Sequence, residues 1–244
     1  MSLRIFKIFI LFCAIANLNC LGYKKYVKSG FSMGTDLTII IFSDNKKKAT
    51  LVLEKCFEIA DKLEERVSSK KKTSIISDLN FKRESFINDK FTLELIKDAK
   101  RFGEISGGSF DPTLFELINL WGIENGENIV PNEIEIKKAI SDTGYQNIFI
   151  DGNFVRLDNK ALLDLGGIAA GKIIGEISFF LKNEGVKDFL INSSGDLTIS
   201  GKFQGMRHWV IGIANPFDSS KLIGEIKLTD CSIVTSGDYE KYFI

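Results

Sequence analysis

Histidine is nearly absent from this chain, since His208 is the only one among 244 residues. It lies in a strand-like run beside Trp209, where no serine–histidine–carboxylate or cysteine–histidine arrangement can be assembled around it. We therefore expect His208 to be structural. Cysteine is also scarce, with four in total and no C-x-x-C pair, which argues against a zinc site and a redox pair. A disulfide between Cys56 and Cys231 is left open.

An excess of charge of either sign is missing, because 32 basic side chains balance 32 acidic ones. This balance argues against a general nucleic-acid-binding surface. There are only three prolines and no low-complexity tract, which argues against a long linker. Since 44% of the residues are hydrophobic, the chain can bury a sizeable core. We predict one compact domain, or one domain with two lobes.

The N-terminus has the pattern of an export signal. Arg4 and Lys7 precede an apolar stretch, residues 8–16, that is too short to span a bilayer. Cys20 follows and suggests a bacterial lipoprotein that loses residues 1–19 and is lipidated at Cys20, anchored to a membrane and facing the periplasm. The residue before Cys20 is larger than such signals prefer, so ordinary cleavage nearby is the alternative.

Residues 163–172 (LDLGGIAAGK) form the most informative stretch. Asp164 follows an apolar run, Gly166 and Gly167 come next, and an amphipathic helical pattern continues from there. A turn without side chains at a helix N-terminus suits an anionic ligand, because its N–H groups lack intrahelical partners and glycine admits a phosphate. The spacing is not G-x-G-x-x-G, so a Rossmann fold is not indicated. Plain packing is the alternative.

Hydrophobic periodicity indicates an α+β pattern rather than strict βαβ alternation. Helices are predicted at residues 46–67, 74–79, 92–105, 112–120 and 132–140 and after the glycine pair. Strands are predicted at residues 36–42, near 148 and 155, and at 189–192, 197–200, 209–213, 222–228 and 232–235. Asp111 before Pro112 looks like an N-cap with proline at the first helical position.

Five polar or glycine-rich turns lie at ends of these elements, where functional sites are usually built. They cover residues 32–35, 108–113, 164–172, 192–196 and 235–239. Each has a simpler explanation, since Asp111 can be only a helix cap, Asp196 only a turn residue and Met33 only a core residue.

Six motifs, five of them on these turns, occur in an order that resembles one family. The motifs are Met-Gly-Thr (33–35), Ser-x-x-x-x-Leu-Asn (74–80), Gly-Ser-Phe-Asp-Pro-Thr (108–113) with Leu-Trp-Gly (120–122), Asp-Leu-Gly-Gly-Ile-Ala (164–169), Asn-x-x-Gly-Asp (192–196) and Thr-Ser-Gly-Asp-Tyr (235–239). In this order they resemble the ApbE family, the FAD:protein FMN transferases. The resemblance implies an ApbE-like α+β fold over residues 20–244, with a mixed, mostly antiparallel sheet and packed helices.

The resemblance also implies a chemistry. Members of the family bind FAD and a divalent metal, usually Mg²⁺, and pass FMN to a threonine or serine hydroxyl of a target protein, although some hydrolyse FAD instead. Carried over by motif, the predicted FAD contacts are Met33, Ser109, Phe110, Asp111 and Asp164. Gly167 would offer its backbone carbonyl to the metal. A bare turn beside a helix N-terminus can hold a pyrophosphate, and Phe110 can face a flat ring.

Two departures from the family bear on activity. Ala170 occupies the position of an FAD-contacting lysine, and Lys172 appears two places later. The family also continues into segments whose Asp and Thr bind the metal, whereas this sequence ends at Ile244. One carbonyl is too little for a cation that prefers six oxygens. The resemblance therefore predicts poor FMN transfer by this form, unless Asp196 and Asp238 complete the metal site.

Three hypotheses follow. The first is an exported flavin transferase lipoprotein that uses FAD and Mg²⁺ and has a target protein as its partner. The second is a non-catalytic or FAD-hydrolysing flavin-binding lipoprotein. The third is a fragment that folds poorly because a sheet edge is left bare. None of them involves nucleic acid, and the catalytic residue stays unassigned.

Overall fold

A computed structural model describes residues 23–122 and 130–236 of the chain. The helices are α1 (Lys46–Val67), α2 (Ile75–Lys82), α3 (Lys90–Ile105), α4 (Phe115–Leu120), α5 (Glu133–Ser141) and α6 (Gly166–Asn183), with a 3-10 turn at Tyr145–Asn147. The strands are β1 (Lys24–Ser32), β2 (Thr35–Ser43), β3 (Glu84–Phe86), β4 (Ile148–Asp151), β5 (Phe154–Leu157), β6 (Phe189–Ser193), β7 (Asp196–Ser200), β8 (Trp209–Asn215), β9 (Asp218–Leu228) and β10 (Cys231–Ile233).

Several predictions concern residues near the two ends of the chain that the structure does not describe. The predicted signal segment, Cys20 and Asp238 lie outside the described residues. Within the two described ranges, no helix combines the length and the apolar character that a bilayer crossing requires.

Most predicted elements are confirmed, and α1 has the predicted bounds. Two strands, β1 and β3, were not predicted. The helix predicted at residues 112–120 is wrong at its start, because α4 begins at Phe115. Asp111 is not its N-cap, since its carboxylate accepts the N–H and the hydroxyl of Thr113. The Pro112 carbonyl accepts the Asp164 N–H, and these bonds keep residues 111–114 out of the helix.

The described chain divides into two compact units. Unit 1 runs up to Ala60 and resumes at Ile174, and unit 2 is Asp61–Ile173. Unit 1 contains an antiparallel five-stranded sheet in the order β1-β2-β6-β7-β10 and a separate β8–β9 hairpin. In its core the ring of Trp209 packs against Phe42 and Phe203, with centroids 5.8 and 5.3 Å away.

Unit 1 contains the two cysteines whose pairing the sequence left open and the histidine that was expected to be structural. Cys56 is buried and Cys231 half-buried, and both thiols are free. Burial raises the pKa of the Cys56 thiol to about 12. His208 is exposed, and its Nδ1 lies 2.7 Å from the hydroxyl of Thr229. The disulfide left open by the sequence is therefore not formed.

Unit 2 contains a three-stranded antiparallel sheet, in the order β3-β5-β4, packed with helices. One buried cluster joins α2, α3, this sheet and the chain that enters α6. The apolar face of α3 is fully buried at Leu95, Ile96 and Ala99. The ladders between the strands named above are all antiparallel, and one isolated parallel bridge joins Leu114 to Leu162. This pattern agrees with the predicted α+β class.

Asp89 fixes the start of α3. Its Oδ1 accepts the N–H and the hydroxyl of Thr92, at 2.9 and 2.7 Å, and its Oδ2 accepts a bond of 2.8 Å from Arg66. Burial alone would raise the pKa of Asp89, but these bonds and the Arg66 charge outweigh it and lower the pKa. The stability from this carboxylate is present above its unfolded-state pKa and is lost as the pH falls through the lower folded-state pKa.

We expect Asp89→Ala to lower the free energy of unfolding by about 1 kcal/mol at pH 7, because α3 loses its N-cap acceptor. The difference from the wild type should shrink below about pH 4, where the carboxyl becomes protonated. Urea unfolding at several pH values measures both effects. Glu58→Ala, which removes an exposed pair with Lys55, is the control and should cost less than about 0.5 kcal/mol. A difference between Asp89→Ala and wild type that does not change with pH would contradict the assignment.

Candidate functional site

Asp164 is the polar residue where the chain enters α6. Its Oδ1 accepts the Gly166 N–H at 2.8 Å, and its Oδ2 accepts the Ser69 hydroxyl at 2.7 Å. Its own N–H donates to the Pro112 carbonyl at 2.8 Å. The leucines on either side are fully buried. The carboxylate is therefore held in one place at the edge of the unit 2 core.

The predicted contacts at residues 109–113 lie beside Asp164 in unit 2. The hydrogen bond from the Asp164 N–H to the Pro112 carbonyl joins the two stretches. Ser109 is exposed and Phe110 is half-buried. The structure thus brings together two segments that are about fifty residues apart in the sequence.

Asp111 lies inside this segment, and protein donors reach both of its oxygens. Oδ1 accepts the N–H and the hydroxyl of Thr113, at 2.9 and 2.6 Å, and Oδ2 accepts the Tyr145 N–H at 3.0 Å. An ionised carboxylate has further lone pairs, so Asp111 can still accept a hydrogen bond from a ligand. Its observed bonds give it a structural role as well.

The two adjacent glycines leave room for two neighbouring side chains. A Cβ on Gly166 would lie 2.9 Å from the Asp164 Oδ1. A Cβ on Gly167 would lie 3.0 Å from the ring of Phe110. Both distances are shorter than ordinary van der Waals contact, so the carboxylate and the ring can approach only because these positions lack side chains.

Lys172 does not take the place of the lysine that the family resemblance puts at position 170. Its ammonium lies 2.8 Å from a carboxylate oxygen of Asp98 and 3.8 Å from one of Glu94, both on α3. Two residues along an α-helix turn the side chain by about 200°. Lys172 therefore points along a different direction from residue 170, and its charge is committed to α3.

Unit 1 has two hairpin turns side by side at one end of its five-stranded sheet. Met33 and Gly34 join β1 to β2, and Ser194 and Gly195 join β6 to β7. All four residues have positive φ, as two-residue type I′ turns require. The turns are neighbours because β2 pairs with β6, and the hydroxyls of Thr35 and Ser194 hydrogen-bond to each other.

Met33 is therefore a turn residue and not a core residue. Its φ of 56° is uncommon for a residue with a Cβ, and its side chain is half-buried. Met33 belongs to unit 1, whereas Ala170 and the other predicted FAD contacts belong to unit 2.

Asp196 begins β7 directly after the second of these turns. The turn is closed by a bond from the Gly195 N–H to the Asn192 Oδ1 at 2.9 Å. Burial raises the pKa of Asp196, because its charged form is poorly solvated there. Asp196 is thus a half-buried residue and not simply an exposed turn residue.

A complete magnesium site is not found in the described parts of the chain. They contain no group of three His, Cys, Asp or Glu side chains that could hold a metal. The resemblance offered the carbonyl of Gly167, but a hard cation of this kind prefers six oxygens. Asp238, the second predicted carboxylate, lies outside the described residues. The residues that are described therefore do not fit a Mg²⁺ ion by themselves.

Comparison with known families assigns the chain. Residues 33–244 match the model of the ApbE family. The chain belongs to this family, whose six motifs were recognised in the sequence.

Two curated relatives carry the same name, FAD:protein FMN transferase. The protein from Vibrio cholerae is 29% identical over 226 residues, which cover 88% of this chain and 66% of the relative. The protein from Klebsiella pneumoniae is 28% identical over 226 residues, which cover 90% of this chain and 68% of the relative. The chain thus spans about two thirds of the length of these relatives.

Solved structures confirm the predicted ApbE-like fold. The ApbE protein of Thermotoga maritima superposes with a TM-score of 0.83 at 32% identity, over 91% of this chain and 73% of that one. The apo flavinyl transferase ApbE of Pseudomonas stutzeri superposes with a TM-score of 0.79 at 27% identity, over 91% of this chain and 71% of that one.

Ser69 is a residue at this site that the sequence did not single out. It lies in a polar, basic loop, residues 68–73, and reaches Asp164 across 95 positions of sequence. Asn80 was recognised only as part of a motif, yet its side chain bonds both the N–H and the carbonyl of Leu163. The neighbouring serines and the terminal asparagine of that motif were the available signals.

Gly167 and Gly171, both in α6, yield a stability prediction in which one position is the control for the other. Gly171→Ala should raise the free energy of unfolding by about 1 kcal/mol, because position 171 is helical and a Cβ there meets nothing within 4 Å. Gly167→Ala should instead lower it by about 1 kcal/mol, because the Cβ crowds Phe110. Thermal and urea unfolding measure both variants.

The cause is tested by adding Phe110→Ala to each variant. Without the ring, Gly167→Ala and Gly171→Ala should change the stability by similar amounts. A difference that persists in the absence of the ring would show that crowding by Phe110 is not responsible.

Proposed function

We propose that this chain is a FAD:protein FMN transferase, which moves FMN from FAD to a threonine or serine hydroxyl of a target protein and uses Mg²⁺. Membership of the ApbE family and the shared name of its curated relatives support the proposal. The single observation that carries it is the pairing in unit 2 of residues 109–113 with the Asp164 turn.

The reaction exchanges the phosphoanhydride link of FAD for a phosphoester link to the target protein. The hydroxyl oxygen of the target forms a bond to the phosphorus of the FMN half of FAD. The bond from this phosphorus to the bridging oxygen of the pyrophosphate breaks, AMP leaves, and the hydroxyl proton passes to solvent or a base. The protein's contribution to such a transfer is mainly positioning and charge stabilisation.

The residues of unit 2 suit the binding part of this task. Phe110 offers a half-buried aromatic face. The Gly166 N–H is already bonded to Asp164, and the Ile168 and Ala169 N–H groups are bonded to the Leu165 carbonyl, so it is the positive end of the α6 dipole that favours a phosphate there. Asp111 and Asp164 keep acceptor capacity for hydroxyl or N–H groups of FAD. Mg²⁺, when bound, would neutralise charge on the phosphate oxygens. Its ligands would have to include groups outside the described residues.

Flavin binding without transfer, or hydrolysis of FAD, is the second candidate. Ala170 favours it, because the cation that the family places there to offset phosphate charge is absent. Lys172 does not supply it, since its ammonium is paired with α3. Binding would then be retained while attachment of FMN to a hydroxyl would be weak or lost.

Mass spectrometry separates these functions. The protein is incubated with FAD, Mg²⁺ and an acceptor peptide that carries the family's target threonine. Transfer predicts an FMN adduct on the peptide and one AMP for each adduct. Hydrolysis predicts free FMN and AMP, and a non-catalytic binder leaves FAD intact. Omitting Mg²⁺, or replacing the threonine by valine, should abolish the adduct.

We expect Asp164→Ala to weaken FAD binding by about tenfold or more, because a charge-assisted hydrogen bond is lost. Asp151→Ala, at the exposed end of β4, is the matched control and should bind like wild type. The increase in melting temperature with FAD concentration gives both affinities. FMN should stabilise the protein less than FAD, because it lacks the second phosphate and the adenosine. Equal loss of affinity in the two variants would contradict the proposed site.

We also propose that the chain is exported and anchored through a lipid on Cys20. In a bacterial host the protein should partition with membranes into detergent, and Cys20→Ser should release it from that fraction. Cys231→Ser is the control and should leave the partition unchanged. A wild-type protein recovered wholly from the cytoplasm would contradict this proposal.

A further inference from the structure

The side chain of Ser69, in the loop before α2, reaches the proposed FAD site. The Ser69 hydroxyl donates to the Asp164 Oδ2 at 2.7 Å. The other oxygen of the same carboxylate accepts the Gly166 N–H at 2.8 Å. With both oxygens bonded, the carboxylate cannot rotate about its Cβ–Cγ bond without losing a hydrogen bond.

The loop is itself held in place by serine hydroxyls. The Ser77 hydroxyl donates to the Ser69 carbonyl at 2.9 Å, and the Ser74 hydroxyl donates to the Ser68 carbonyl at 2.5 Å. Ser74 also caps α2 by accepting the Ser77 N–H at 2.9 Å. The backbone of Ser69 is therefore fixed without any help from its own side chain.

The backbone beside Asp164 is fixed from the same region of the chain. The Asn80 side-chain amide donates to the Leu163 carbonyl at 2.9 Å and accepts the Leu163 N–H at 2.8 Å. The buried side chain of Leu163 adds its packing in the unit 2 core. Asp164 thus stays in place when Ser69 is changed, and only the direction of its carboxylate depends on the Ser69 hydroxyl.

We propose that Ser69 is a positioning residue for FAD binding: it orients the Asp164 carboxylate and does not itself touch the ligand. This inference rests on the proposed function, because it takes Asp164 as an FAD contact. It assigns a role to the serine-rich stretch before α2 that neither the family motif nor the proposed reaction supplies.

The test measures FAD affinity from the FAD-dependent melting temperature and from flavin fluorescence. Ser69→Ala should weaken FAD binding by roughly tenfold, the size expected for a hydrogen bond to a charged group. Ser69→Thr retains the hydroxyl and should restore most of the affinity. Ser141→Ala removes another hydroxyl of unit 2, one that donates to the Lys138 carbonyl, and should bind FAD like wild type.

A double-mutant cycle separates positioning from a general structural effect. If Ser69 acts only through Asp164, Ser69→Ala should have no further effect on FAD affinity in the Asp164→Ala background. An equal loss in both backgrounds, or a wild-type affinity of Ser69→Ala, would overturn the inference. So would a Ser69→Thr variant that binds as weakly as Ser69→Ala.

The same measurements tell the two proposals apart. If wild type binds FAD and Asp164→Ala weakens it while Ser69→Ala does not, this inference fails and the proposed function stands. If wild type shows no FAD binding, the proposed function itself fails, and the inference fails with it.

Discussion

The negative charge of Asp164 has to be balanced at the edge of an apolar core, and several features of unit 2 depend on that need. An ionised carboxylate in such a place is stable only when hydrogen-bond donors satisfy it. The donors are the Ser69 hydroxyl and the Gly166 N–H. The second donor lies at a glycine, where an added Cβ would lie 2.9 Å from the carboxylate oxygen. One charge thus accounts for a glycine, a serine and the geometry at the start of a helix.

The sequence predicted elements well where local signals decide them. The bounds of α1 follow from its apolar periodicity, and α5 begins at the capping box of Asn132 and Glu135. The elements that were missed or misplaced depend on contacts between residues far apart in the sequence. β3 has only three residues and exists through its pairing with β5. The start of α4 was misplaced because Asp111 bonds Thr113 and Tyr145, the latter 34 positions away, and because the Pro112 carbonyl accepts the distant Asp164 N–H.

The candidate site shows the same division. The motifs located the turns, and the structure brings residues 109–113 to Asp164 in unit 2. Ser69 was not predicted, because neither motif spacing nor hydrophobic periodicity indicates a hydrogen bond between residues that are 95 positions apart. The sequence shows a lysine two places after Ala170. Only the structure shows that the ammonium of Lys172 forms ion pairs with carboxylates on α3. Contacts between distant segments are therefore the feature that is hardest to predict from a single sequence.

The ion pairs of Lys172 have a consequence for how this turn can evolve. Lys172 attaches the start of α6 to Asp98 and Glu94, and residue 170 lies about 200° away around the helix. The side chain that anchors the helix and the side chain of residue 170 therefore lie on different faces of α6. A single substitution of Ala170 can change the charge of the turn while the helix remains anchored. A lysine at residue 170 would therefore add a cation to the turn without disturbing the ion pairs that join α6 to α3.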